Sequence, residues 1–239
     1  MLLNAQRFIY KPLSITKKMK IKGIIIIGFL LILNNCTIKK YYFQISDFND
    51  SKIYKYECKS KSNKTQYWKL TSNETDNTLI TEAFKSNFKQ YEYFKEKFTK
   101  NGSKLLEFIS FRYDNNDKKM EIIKIPIELD VYKWKTEKPY KYSVEYVEKN
   151  YGKIIFQKER RYIGKEVILV FGKKYNAIKL EGIYKTKVIS TNQVYEYKQF
   201  SYYVKGFGLV KMEKKFPNGK KETFELTEIM TEIEWKKSQ

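Results

Sequence analysis

The chain has 239 residues, of which 48 are basic and 27 acidic, giving a formal net charge of +21, and it has no histidine. Without histidine, a Ser-His-Asp triad, a Cys-His pair and histidine metal sites are all excluded. The charge invites a nucleic-acid reading, but only Arg7, Arg112, Arg160 and Arg161 are arginine, the residue that makes bidentate contacts to phosphate and guanine. We therefore expect no nucleic-acid partner, no metal, no cofactor and no enzymatic activity.

The stretch from residue 19 to residue 36 reads MKIKGIIIIGFLLILNNC and combines a short basic region with an apolar run. Lys20 and Lys22 precede an uninterrupted apolar segment from Gly23 to Leu33. A bilayer-spanning helix needs roughly 20 apolar residues, whereas the apolar region of a signal peptide has about 7–15. The run is therefore typical of an export signal. An uncleaved N-terminal anchor, a plain signal peptide and a buried helix stay open as alternatives.

The end of this stretch resembles the lipobox of bacterial lipoproteins. Leu33 occupies the third position before Cys36, as in that motif, although Asn34 and Asn35 replace its small residues. The resemblance implies that the thiol of Cys36 receives a lipid, that the signal is removed before it, and that the new N-terminus is acylated. It also implies a lipid-anchored protein of the cell envelope, with the outer membrane facing the periplasm as the expected location.

These observations divide the chain into four parts. Met19 opens a complete signal by itself, so residues 1–18 are predicted to be an upstream extension. Residues 19–35 are then the lipoprotein signal, a predicted helix, and residues 36–50 a tether. Residues 51–239 are predicted to form one domain, since about 200 residues suffice for a single substantial core.

Beyond the tether, alternating aromatic and β-branched residues predict one strand after another. The predicted strands are Ile53–Lys59, Gln66–Thr71, Thr78–Phe84, Tyr91–Thr99, Lys104–Arg112, Met120–Glu128, Tyr140–Val147, Ile154–Tyr162, Val167–Phe171, Ala177–Ile189, Gln193–Val204, Gly208–Phe216 and Glu222–Glu232. A partly helical segment over residues 73–100 is the alternative there, because its aromatic residues approach a spacing of 3.6.

Two Asn-Gly pairs, at residues 101–102 and 218–219, predict hairpins with type I′ turns. A flat sheet of about a dozen strands would curl or split, and its edges would invite aggregation. We therefore predict a mainly β fold, with a single strongly curved antiparallel sheet that forms a half-barrel or a barrel-like structure. At most one or two helices accompany it.

The segment KQFSYYVKGFGLVKMEKKF, from Lys198 to Phe216, contains an aromatic strand, a glycine-bracketed corner and a second strand. This arrangement resembles the C-terminal part of envelope half-barrel proteins, namely lipoprotein carriers and receptors of the Lol type and related lipoproteins. The resemblance covers about residues 165–232. It implies an apolar cavity within the curved sheet that binds acyl chains.

The candidate ligand-binding residues are aromatic side chains that could line such a cavity: Trp68, Trp134, Trp235, Tyr202, Tyr203 and Phe207. We predict a non-enzymatic, lipid-anchored envelope protein that binds a hydrophobic or amphipathic ligand within the sheet. The alternative is a structural lipoprotein that docks another envelope protein and has no ligand cavity. The predicted partners are thus the membrane, through the lipid, and either a hydrophobic ligand or a second protein.

Overall fold

The computed structural model of the protein describes residues 38–61, 64–135 and 138–239. The predicted extension, the signal helix of residues 19–35 and the lipid site at Cys36 lie outside these residues. Thr37–Gln239 form a compact unit with a hydrophobic core of its own, which is the condition for a domain that folds independently.

Twelve antiparallel strands form one sheet that closes into a barrel, because β1 pairs with both β2 and β12. The strands are β1 (Lys52–Cys58), β2 (Gln66–Asn73), β3 (Thr78–Lys85), β4 (Gln90–Thr99), β5 (Gly102–Tyr113), β6 (Lys119–Lys133), β7 (Tyr140–Glu148), β8 (Gly152–Val170), β9 (Lys173–Val188), β10 (Val194–Val204), β11 (Gly208–Lys215) and β12 (Lys221–Thr231). Strands that follow one another in the sequence are also adjacent in the sheet. The mainly β prediction and the single antiparallel sheet are confirmed, and the sheet is a closed barrel rather than a half-barrel.

Three local predictions were wrong. Residues 73–100 are not helical, as the alternative had it, but contain the end of β2 and all of β3 and β4. The two strands predicted on either side of Gly164 form one strand, β8, in which Gly164 adopts a φ of 141° at a register shift against β9. A bulge therefore accommodates this glycine within one continuous strand.

The type I′ turns predicted at residues 101–102 and 218–219 were also wrong, although the hairpins between β4 and β5 and between β11 and β12 are present. Of Asn218 and Gly219, only the glycine has a positive φ. Gly102 has no positive φ; it begins β5, where a Cβ atom would lie 2.0 Å from the carbonyl oxygen of Tyr132. Close backbone approach, rather than turn conformation, explains this glycine. Both central residues have positive φ instead at Phe171 and Gly172, between β8 and β9.

Residues 38–48 form two short 3₁₀-helices, Lys39–Tyr41 and Ile45–Phe48, which close one end of the barrel. The backbone N–H of Ile38 donates to the carbonyl oxygen of Trp134. The hydroxyl of Ser72 donates to the carbonyl oxygen of Ile45. Tyr42 is buried against the rings of five residues: Phe43, Phe98, Tyr132, Trp134 and Tyr203. This segment, which we call the plug, is therefore part of the core and not a tether.

The C-terminal helix α1 (Glu232–Lys237) packs on the outside of the barrel. Thr231 and Glu234 form a capping box at its start, which satisfies backbone N–H groups that the first turn leaves unpaired. Trp235 contacts Phe84 and Tyr67 and lies against Ile53 on the outer face of β1 to β3. None of the helices in the described ranges is long and apolar enough to cross a membrane.

Candidate functional site

The barrel lumen contains a cavity of about 270 Å³ that borders the plug. Binding pockets for small molecules have volumes of about 300–1,000 Å³, so this cavity is slightly smaller than that range. Its wall combines aromatic rings with charged side chains. The aromatic residues are Tyr42, Phe43, Trp68, Tyr91, Phe94, Phe108, Tyr142, Phe156, Tyr184, Tyr197 and Tyr203, and the charged ones are Glu92, Glu96, Lys124, Lys158, Arg160 and Lys214.

The plug forms the floor of this cavity through Tyr42 and Phe43. The hydroxyl of Tyr42 donates a hydrogen bond of 2.8 Å to Oε1 of Glu96, which is 2% exposed. Burial raises the pKa of the Glu96 carboxyl, because removing a carboxylate from water disfavours its charged form. The hydrogen bond from Tyr42 acts in the opposite direction and lowers this pKa.

Arg160 is next to the floor, on β8, and is 7% exposed. Its Nη1 donates to the carbonyl oxygen of Val131 at 3.1 Å, while its buried Nε has no hydrogen-bond partner. The side chains of Tyr140, Tyr184 and Tyr203 lie near the guanidinium, which partly offsets the rise that burial causes in the pKa of each hydroxyl. The guanidinium is thus held among polar rings with an unused donor.

Three lysines point into the same lumen: Lys124 on β6, Lys158 on β8 and Lys214 on β11. Lys158 lies 4.4 Å from the ring centroid of Tyr184, and Lys124 lies 3.7 Å from that of Phe108. Burial lowers the pKa of each lysine, and the nearby Arg160 lowers that of Lys158 further. Cation–π contacts offset only part of the cost of removing an ammonium group from water.

These lysines lack ion-pair partners in the part of the chain that the structure describes. No carboxylate oxygen there lies within 4 Å of the ammonium nitrogen of Lys124, Lys158 or Lys214. Glu92 interacts electrostatically with all three. Four basic side chains consequently face two carboxyl groups in the cavity wall, and burial raises the pKa of Glu96 as it lowers those of the three lysines. Outside the wall, Glu148 also acts on Lys124 and Glu222 on Lys214.

The predicted ligand-binding residues divide into two groups. Trp68 and Tyr203 line the cavity, so their proposed role stays a prediction. Trp134 packs beside the plug, Phe207 contacts Phe171 and Tyr175 at the same end of the barrel, and Trp235 belongs to α1. Tyr202 lies on the outer face, where its hydroxyl donates to Glu213. These four side chains do not line the cavity.

Sequence reasoning missed the charged side chains of the lumen, although β8 carried a signal for them. Phe156, Lys158, Arg160 and Tyr162 alternate along the strand and therefore share one face. If this face of β8 is buried, as its aromatic residues indicate, then its two cations are buried with them. The alternation therefore indicated charged side chains in the lumen. The same argument applies to Lys124, which alternates with outward-facing isoleucines on β6.

The outer face carries a second feature, a row of exposed aliphatic residues along β6. Ile123 and Ile125 are 67% and 58% exposed. A register shift against β7 follows at residues 126–128, after which Leu129 pairs with the lumen residue Tyr142. The ladder between β6 and β7 runs from the Leu129–Tyr142 pair to the Ile125–Glu145 pair and ends there. Beyond that pair, a groove of about 290 Å³ lies between the two strands, lined by Ile123 and Val147 among others.

No group of His, Cys, Asp and Glu side chains in the described residues could hold a metal ion. Cys58 is a buried free thiol, and its Sγ contacts the hydroxyl oxygen of Ser60 at 3.3 Å. Cys58 is not among the residues that line the cavity.

Neither a protein-family model nor a curated protein matches the sequence. Among solved structures, the chain is similar to an inferred lipoprotein from Parabacteroides distasonis, with 12% identity, a TM-score of 0.48 and coverage of 82% of this chain and 99% of the other. It is also similar to the hypothetical lipoprotein YmcC from Escherichia coli, with 9% identity, a TM-score of 0.36 and coverage of 79% and 90%. An inferred exported protein with a YmcC-like fold from Bacteroides fragilis gives 7% identity, a TM-score of 0.34 and coverage of 82% and 100%. Similarity at these levels assigns no function to this chain.

Proposed function

We propose that this protein is a lipid-anchored envelope protein that binds a small amphipathic ligand in the lumen of its barrel. The observation that carries the binding proposal is the cavity of about 270 Å³, whose wall combines aromatic rings with polar groups. A lumen that served only as a core would be filled by side chains, as the plug end of this barrel is. The ligand is bound rather than transformed.

The experiment is native mass spectrometry of residues 37–239, exported to a bacterial periplasm and purified without detergent. We expect a bound mass of a few hundred daltons that is released on denaturation. The matched control is Ala83→Trp, which introduces a bulky ring into the cavity wall from β3. This variant should fold and show the apo mass. An apo mass for the unmodified protein, together with no uptake of added amphiphiles, would contradict the proposal.

The anchor is the second part of the proposal and depends on the lipobox-like sequence before Cys36. Replacing Cys36 by Ala should move the protein from the membrane fraction to the soluble fraction. Cys58→Ala is the control, because it removes the buried thiol and keeps the lipid site. If the Cys36→Ala protein stayed in the membrane fraction, the lipid would not be the anchor.

A second candidate function is docking of another envelope protein on the exposed aliphatic row of β6. Exposed contiguous apolar surface commonly marks an interaction site. A photo-crosslinking residue at position 125 should then give one discrete adduct in intact cells. The same residue at Lys69, on the outer face of β2, should give none. Equal or absent crosslinking at the two positions would exclude docking on β6.

A further inference from the structure

The lumen lysines require an explanation that packing does not provide. An unpaired buried ammonium group destabilises a fold, and proteins normally pair such groups or leave them out. This barrel pairs other buried charges. Glu181, 6% exposed, lies between Arg161 and Lys198, and Glu222, 5% exposed, accepts from Lys64 and Lys220. The pairing is missing only around the cavity, among the residues that the structure describes.

Building on the proposed function, we propose that the ligand is an amphipathic anion whose acidic group binds between Lys158 and Arg160. Both side chains line the cavity from the same face of β8, and both are at least nine-tenths buried. Arg160 offers its unpartnered Nε–H, and Lys158 offers an ammonium group without a carboxylate neighbour. A carboxylate or a phosphate monoester could accept from both.

The rest of the wall fits the apolar part of such a molecule. Phe108, Phe94 and Phe156 form a connected group of rings, with Phe108 centred 5.3 Å from Phe94 and 6.4 Å from Phe156. All three line the cavity beside the cations. A short apolar body can therefore lie on the rings while its acidic group contacts Lys158 and Arg160. Lys124 and Lys214 supply a positive field that attracts the anion into the lumen.

The experiment compares probes of equal length by titration calorimetry on residues 37–239: decanoate, decan-1-ol and decylammonium, below micelle-forming concentrations. Inorganic phosphate is the fourth probe and represents a free anion without an apolar body. We expect decanoate to bind about tenfold or more tightly than decanol, because charge-assisted hydrogen bonds are stronger than neutral ones. Decylammonium should not bind, and phosphate should bind far more weakly than decanoate.

The matched variants are Lys158→Met in the lumen and Lys198→Met on the outer face. Lys158→Met should weaken decanoate about tenfold and leave decanol within about twofold, whereas Lys198→Met should change neither. Circular dichroism checks that both variants fold.

The other outcomes separate the two proposals. Equal binding of decanol and decanoate, unaffected by Lys158→Met, would overturn the anion proposal and leave the lumen as an apolar binding site. Phosphate binding as tight as that of decanoate would identify a site for a free anion and would remove the apolar part of this proposal. If no probe binds and the purified protein carries no ligand, both proposals are wrong.

Discussion

Arg160 and Arg161 are adjacent in β8 but face different surroundings. Arg161 points outward and pairs with the carboxylate of Glu181 on β9. Arg160 points into the lumen, where its partners are a carbonyl oxygen and tyrosine rings. The outer cation is neutralised by the protein itself, whereas the inner one is not. The difference shows that the barrel pairs a cation with a carboxylate on its outer face but leaves a cation without such a partner in its lumen.

The two ends of the lumen differ in the same way. At the plug end, buried rings contact one another, and Tyr42 alone contacts five of them. At the other end, rings and cations surround unfilled space. The first arrangement stabilises the fold, and the second lowers stability in exchange for a binding site, as functional sites commonly do.

The largest effect is expected at the plug. Replacing Tyr42 by Ala removes a fully enclosed ring and leaves the buried carboxyl of Glu96 without its donor. We expect a loss of about 3–5 kcal/mol in the free energy of unfolding, which urea denaturation can measure. Tyr42→Phe is the control, since it keeps the ring, and should lose about 1–3 kcal/mol. Full stability of the Tyr42→Ala protein would show that the plug does not close the barrel.

In the lumen, we expect a substitution to raise the free energy of unfolding rather than to lower it. Lys158→Met keeps a side chain of similar length and removes an ammonium group that has no carboxylate partner. We expect the ligand-free protein to gain about 1 kcal/mol, or roughly 2–4 °C in Tm. Lys198→Met, which removes a partially exposed partner of Glu181 at 3.6 Å, should lose at most about 0.5 kcal/mol. A Tm loss for Lys158→Met would mean that the lysine stabilises the fold.

The sequence predicted the barrel better than its site. Alternation located most strands to within a few residues, and the strand count then required curvature. The plug was missed because Tyr41, Tyr42 and Phe43 are consecutive and show neither strand nor helix periodicity. Closure of the sheet was left open because the pairing of β1 with β12 joins residues near the two ends of the domain.

The site was partly predictable for a different physical reason. Aromatic residues are identified easily, but the sequence does not distinguish the two faces of a strand that has apolar residues on both. On β10, Tyr202 faces outward to Glu213, while the adjacent Tyr203 faces the lumen. Lysine is mostly exposed in proteins, so Lys124, Lys158 and Lys214 were not among the predicted site residues.

The smallest expected effect is on the pH dependence of stability. Lysines in the lumen should contribute to this dependence, and lysines on the outer face should not. Lys158 is faced by Arg160, Lys214, Glu92 and Glu96, and its folded-state pKa, like those of Lys124 and Lys214, is lowered. In the unfolded state, these lysines have a pKa of about 10.4. Between the lowered folded-state pKa values and about pH 10.4, the unfolded state therefore binds more protons than the folded state.

Stability of the ligand-free protein should therefore rise with pH through that window. Buried tyrosines such as Tyr184, whose folded-state pKa is raised by burial, reverse the trend above about pH 10. Thermal denaturation between pH 7 and 9.5 should show a smaller slope for Lys158→Met than for the unmodified protein. Lys198→Met, on the outer face, is the matched control and should give the same slope as the unmodified protein. Identical slopes for all three proteins would mean that Lys158 titrates as a solvated lysine and that the lumen is as well neutralised as the outer face.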